Sequence, residues 1–217
     1  MFTVVIPTMW KPDTFEEQLN DLCLCEYVDE IILIDNDIST TPSFEILKNK
    51  KILKINPLEN LVVNPSWNLG VRLSLNNNIC LLNDDLLMDM KVFEFMSNHK
   101  DKSLSGLSMC NQDGDIRLSE ANERTHGFGC MMFIRKDTYT YIPHELLMYY
   151  GDDYLFHMNK FNKNKNYYIL GCNNNEVWGK TSSSSVKVND SKSKVVYCEG
   201  TTFERLMNEK SIVFYSE

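Results

Sequence analysis

Apolar residues in this chain come alternately in short unbroken runs and in helical stripes, and that alternation sets the expected architecture. Phe2 to Pro7 (FTVVIP) is continuous, rich in β-branched residues and closed by proline, so it reads as a strand buried on both faces. Asp13 or Thr14 can cap a helix running to about Cys25, with Phe15, Leu19, Leu22 and Cys23 as its apolar stripe. Val28 to Ile34 makes a second buried strand that ends on Asp35-Asn36-Asp37. Strand, helix and strand in this order form a βαβ unit, whose crossover is right-handed almost without exception.

The pattern then repeats. Phe44 to Lys50 predicts a short helix and Lys51 to Asn56 a third strand. Asn64 or Ser66 can start a helix to about Leu75 carrying Trp67 and Val71. Ile79 to Leu82 is a strand that stops on Asn83-Asp84-Asp85, and Met90 to Asn98 is a helix through Val92, Phe93 and Met96. Four alternations of β and α predict an α/β fold, an open and mainly parallel sheet flanked by helices. The second half is less regular. Leu104 to Met109, Gly127 to Ile134 and Tyr167 to Leu170 read as strands, and Arg117 to Arg124 as a polar stretch. Tyr154 to Phe161 and Thr202 to Asn208 read as helices, and Gly179 to Val188, with four serines, as a loop.

The 217 residues fit one domain, 1–217, without disulfide staples. A formal net charge of −8 argues against a nucleic-acid partner, which normally meets a basic face. The cysteines are odd in number, 7, lack paired C-x-x-C units and sit largely in apolar runs, as in a reduced intracellular protein. No charged leader precedes the first strand, and no apolar run reaches the roughly 18 to 20 residues of a membrane span. A cytoplasmic setting is therefore expected.

Three acidic clusters follow apolar segments: Asp35-Asn36-Asp37, Asp84-Asp85 and Asp152-Asp153. In a parallel sheet the first two lie along one edge, beyond the carboxyl ends of the strands, where ligands of such sheets collect. A hard cation carrying a diphosphate wants one or two carboxylates on a rigid base there. Two solvated aspartates in a strand-ending turn is the plainer alternative.

The order of these elements resembles the family 2 type of GT-A fold glycosyltransferases, over roughly Phe2 to Phe156. Val4-Val5-Ile6-Pro7-Thr8 is similar to that family's opening strand, whose following loop meets the nucleotide, and Asp35 falls at the base-binding position. Asn60 and Asn68-Leu69-Gly70 resemble its paired Asn segments, with Val62 where a glycine is usual. Leu81 to Asp85 occupies the D-x-D position, Gly127 to Phe133 the acceptor-side glycine and strand, and Gly151-Asp152-Asp153 the catalytic-base motif. Small relatives of rhamnosyl- and glucosyltransferase type act as modules of larger glycan-building enzymes in bacteria and large DNA viruses.

The resemblance implies an inverting hexosyltransferase, with a nucleotide-binding half over about 1–100 and an acceptor half over about 101–217. A UDP-sugar is the implied donor and a glycan or glycoprotein hydroxyl the acceptor. Pro7, Thr8, Asp35, Asn68 and Asp84 would bind the donor nucleotide, Asp85 would hold Mn²⁺ or Mg²⁺, and Asp153, with Asp152 second, would be the base. Two further features depart from the pattern. Asn83 replaces the first D-x-D carboxylate, and no His lies near Val177-Trp178-Gly179, where many relatives carry a metal ligand.

Rival readings come from other classes. Asp35-Asn36-Asp37-Ile38-Ser39 resembles the nucleophile loop of haloacid-dehalogenase phosphatases, with Asp35 as nucleophile. A catalytically degenerate sugar-nucleotide-binding domain fits the missing carboxylate. A pyrophosphorylase would need glycines between Val4 and Lys11, and there are none. Trp10, Trp67, Trp178, Arg117, Arg124, His126 and His157 are weaker site candidates; buried aromatics, solvated loop charges and a structural His are their commoner fates.

Overall fold

The computed structural model describes residues 1–37, 39, 42–110, 113–172 and 189–214, the last helix with side chains from 198 to 210. The loop expected over Gly179 to Val188, and Trp178 before it, lie outside the described residues.

The elements run in the order β1 (Phe2–Thr8), α1 (Phe15–Leu24), β2 (Val28–Asp35), β3 (Ile52–Ile55), α2 (Asn64–Leu73), β4 (Asn78–Leu82) and α3 (Lys91–Ser97). They continue with β5 (Leu104–Leu107), β6 (Arg117–Ala121), β7 (Met131–Arg135), α4 (Gly151–Phe161), β8 (Asn166–Leu170) and α5 (Asn189–Phe214). The strands form one sheet in the order β3-β2-β1-β4-β7-β5-β8-β6. β1 pairs in parallel with β2 and β4, β2 with β3, and β5 with β8, while β7 runs antiparallel between β4 and β5. The fold is thus mixed α/β with a mainly parallel sheet flanked by helices.

The continuous apolar runs follow from this topology. A strand covered on both faces must be apolar at every position, and successive side chains go to opposite sides. Val4 and Ile6 of β1, Ile31 and Leu33 of β2, and Cys80 and Leu82 of β4 enter one core with α1 and α3. Val5, Ile32, Ile34, Ile79 and Leu81 enter the other, with Trp67 and Val71 of α2 and Leu155 and Phe156 of α4.

The structure corrects five element predictions, among them the last helix, which runs over Asn189–Phe214 rather than Thr202 to Asn208. Phe44 to Lys50 contributes only a 3₁₀ turn, Glu45–Lys48. The polar stretch from Arg117 contains strand β6, which pairs antiparallel with β8 at the sheet margin. An edge strand with a wet face needs no apolar run, so its pattern carried no strand signal. The Gly127 to Ile134 run divides into a 3₁₀ turn, Phe128–Cys130, and β7. Helix α4 starts at Gly151 rather than Tyr154, directly after Tyr150 at φ 57°. Asp152 and Asp153 are therefore in its first turn, where the helix dipole favours negative charge.

Gly70 sets how closely α2 approaches the central strand. A Cβ there would stand 2.1 Å from Val5 Cγ1, closer than atoms can pack. Gly70→Ala is expected to destabilise the chain by about 1–3 kcal/mol through overpacking, although alanine is the better helix former. The midpoint and slope of a urea unfolding curve measure this; an unchanged or higher midpoint would show that the interface yields.

Candidate active site

The parallel register decides which residues meet at the carboxyl edge of the sheet. Thr8 lies opposite Asp35, and Val5 opposite Leu81, so continuing both ladders brings Thr8 beside Asp84. The Thr8 hydroxyl donates to Asp84 Oδ2 at 2.8 Å and accepts the Trp10 amide at 2.9 Å. The turn after β4 has two further supports. Gln18 of α1 donates to the carbonyls of Asn83 and Leu86, at 2.9 and 2.5 Å, and the Asn83 amide donates to the Cys130 carbonyl at 3.0 Å.

A cavity of about 390 Å³ opens over this edge. Pro7, Thr8, Asp84 and Asp85 border it from the strand ends, and Asn60, Val62 and Trp67 from the segment entering α2. Arg124, His126, Gly129, Met148, Tyr149 and Asp152 close it from the second half of the chain. Asp84 keeps only 3% of its surface and Asp85 is half-buried.

Two expected donor-site residues stand outside the cavity wall. Asp35, 1% exposed, accepts the Trp10 indole N–H at 2.7 Å and pairs with Lys54 Nζ at 2.9 Å. An accessible phosphatase nucleophile would need the opposite environment. Asn68 is a strut: its Oδ1 accepts the Tyr139 hydroxyl and the Ile142 amide, and its Nδ2 donates to the Ile142 carbonyl. Asn36, next to Asp35, does reach the wall. It ties down the following loop by donating to the Val62 carbonyl at 3.0 Å and accepting the Leu61 amide at 3.1 Å. Val62 itself sits at φ 64°. That is a left-handed conformation glycine adopts freely and a β-branched residue rarely does.

At the start of α4 the two acids divide their contacts. Asp152 faces the cavity, and Asp153 does not. Arg124, expected as a solvated loop charge, is half-buried and bridges them, with Nε 2.6 Å from Asp153 Oδ1 and 3.5 Å from Asp152 Oδ2. Gly129 gives Asp152 its room, since a Cβ there would lie 2.7 Å from Asp152 Oδ2. Burial pushes the Asp152 carboxyl above its ordinary 3.8; the Arg124 charge opposes that rise and the Asp153 charge adds to it. Arg117 donates to the Asp113 and Asp115 carbonyls of its own turn, and His157 packs against Phe156 and Phe203 away from the cavity.

Among the described residues, no three His, Cys, Asp or Glu side chains converge as a protein-only metal cage. Asp84 and Asp85 do suit a hard cation that completes its shell with ligand phosphates, which needs only one or two carboxylates.

The fold, a mainly parallel sheet flanked by helices, is of the GT-A type. In keeping with that, the chain is similar to S. aureus TarS 1-349, with a TM-score of 0.53 and 18% identity over 78% of this chain and 57% of that one. TarS 1-349 in complex with UDP-GlcNAc gives a TM-score of 0.54 and 17% identity, over 78% and 55% of the two chains. This chain therefore spans a little over half of the TarS fragment. No family model and no curated protein matches the sequence. Among the described residues no helix is long and apolar enough to cross a membrane.

Replacing Arg124 by Gln removes the one influence holding the Asp152 carboxyl down among the nearby charges, so its midpoint should move further up from the wild-type value. The sign for stability follows. A carboxyl raised on folding contributes stability that is complete below its ordinary 3.8 and is lost as pH rises through the folded value. Arg124→Gln should enlarge that loss. Carbon-detected NMR titration of the Asp152 carboxyl checks this; a midpoint that falls in the variant contradicts it.

Proposed function

We propose that this chain is an inverting glycosyltransferase that moves a sugar from a UDP-sugar to a hydroxyl of a glycan or glycoprotein acceptor. The observation carrying this reading is that carboxylates from two separate elements border one cavity, Asp84 and Asp85 after β4 and Asp152 at the start of α4. The TarS fragment whose fold this chain shares was solved with UDP-GlcNAc, which supports a nucleotide-sugar donor. Residues 1–100 would then form the donor side and 101–217 the acceptor side of one transfer unit, or one module of a larger enzyme.

Each residue has a task in this scheme. Pro7 and Thr8 wall the donor end, and the Thr8 hydrogen bond fixes Asp84. Asp85, with Asp84, would hold Mn²⁺ or Mg²⁺, which when bound neutralises charge developing on the diphosphate leaving group. Asp35 and Asn68 serve indirectly, Asp35 by fixing Trp10 and Asn68 by fixing the segment at Ile142. Asp152 accepts the proton of the acceptor hydroxyl as its oxygen attacks the anomeric carbon. The carbon–oxygen bond to the diphosphate breaks on the opposite face, which inverts the configuration. A carboxyl raised by burial is better matched to taking a proton than an ordinary one. Asp153 keeps Arg124 in place beside it.

A nucleotide-sugar hydrolysis and transfer screen with and without Mn²⁺, paired with UDP calorimetry, tests the reading. Asp152→Asn should lower turnover roughly 10²- to 10⁴-fold, the usual worth of general-base assistance, while UDP binds as before. Asp153→Asn should lose less; the reverse ranking would return the base role to Asp153. UDP binding without any turnover would point to a degenerate binding domain, and no binding at all would remove the nucleotide-sugar reading.

A further inference from the structure

The segment that delivers Asp152 to the cavity is gripped from two sides, and one grip comes from the far end of the chain. On the side of α2, the Asn64 amide donates to the Leu147 carbonyl at 2.9 Å, and its Nδ2 donates to the carbonyls of Leu146 and Tyr149 at 3.2 and 3.0 Å. On the other side stands Glu199 of α5, only 5% exposed. Its carboxylate accepts the Met148 amide at 3.1 and 3.2 Å and the Tyr149 amide at 2.7 Å. One turn further along α5, Phe203 stacks on Tyr150, with ring centroids 5.4 Å apart and planes at 21°.

A buried carboxylate is costly unless its oxygens are satisfied, and backbone N–H groups satisfy these. Charge-assisted bonds to two consecutive amides also fix the peptide planes they come from. Here those planes belong to Met148 and Tyr149, which border the cavity, followed by Tyr150 in the left-handed region and then the first turn of α4. A fixed approach helps to hold Tyr150 at φ 57° and to aim the first turn at the cavity.

We propose that Glu199 is a positioning residue for the base-bearing wall: it holds the Met148–Tyr149 backbone and thereby the direction in which α4 presents Asp152. The C-terminal helix is on this account part of the active centre without touching the reacting atoms. The catalytic half of the proposal rests on the glycosyltransferase reading above; the clamp itself does not.

Two measurements on the full chain separate the parts. Hydrogen exchange of Glu199→Ala should speed the Met148 and Tyr149 amides roughly 10- to 100-fold, the usual worth of hydrogen bonds to a charged group. The β1, β2 and β4 amides should stay as in wild type. Glu199→Gln keeps one carbonyl oxygen for both amides and should restore most of the protection, and it serves if the alanine variant fails to fold. In the transfer assay, kcat should fall for Glu199→Ala and recover for Glu199→Gln, with KM for the nucleotide-sugar unchanged because Thr8 and Asp84 are untouched. Unchanged exchange at Met148 and Tyr149, or equal acceleration across the sheet, would overturn the clamp. A local exchange change with unaltered kcat would overturn the positioning role. Absence of turnover in the wild-type chain would count against the glycosyltransferase reading, and with it the catalytic half, while exchange still decides the clamp.

Discussion

The parallel pairing of β1 with β2 on one side and β4 on the other is the constraint on which the rest of the molecule depends. It fixes three strand ends at one level, so that Thr8, Asp35 and Asp84 emerge together although 76 positions separate Thr8 from Asp84. The pairing is itself forced by burial: each of these strands is apolar on both faces and finds cover only between two helical layers. The adjoining antiparallel strand β7 then starts where β4 ends, which sets Gly129 and Cys130 against the Asn83 turn. Both sides of the cavity are thus attached to one rigid edge.

Within that frame the site balances opposed electrostatic demands. Asp84 is nearly closed off from solvent and accepts a hydrogen bond from the Thr8 hydroxyl. Asp35 is as deeply buried but paired with Lys54 and the Trp10 indole, which turns it into a support. Asp152 lies between these cases, raised by burial and held back by Arg124. Three aspartates that look alike in the sequence receive three different environments. A pairing cation, a hydroxyl donor or partial desolvation is what distinguishes them.

The walls also carry strain that the sheet has to support. Val62, which borders the cavity, and Tyr150, which precedes the helix carrying Asp152, both adopt left-handed conformations. Such residues cost of order 1–3 kcal/mol each and persist only where the surroundings fix them. Asn36 holds the Val62 loop through its carbonyl and the neighbouring amide, while Asn64 and Glu199 hold the approach to Tyr150. The polar side chains doing this are buried, and their hydrogen bonds are to backbone groups that no regular element satisfies.

Apolar patterning marked the central strands, most of the helices covering them and the edge at which acids collect. Apolar period and run length report each residue's own burial, and burial is most of what a central parallel sheet requires. It also marked Asp84, Asp85 and the Asp152–Asp153 pair, because acids ending or following apolar runs are visible locally. Tertiary structure alone decided which way these acids face and what they meet. Arg124 reads as a loop charge until β6 and β8 pair and carry it to Asp153, 29 positions away. Edge strand β6 left no apolar signal, since half of it faces water. Glu199 was equally invisible, because its partners are backbone amides, present at nearly every residue and distinguished only by where the chain returns.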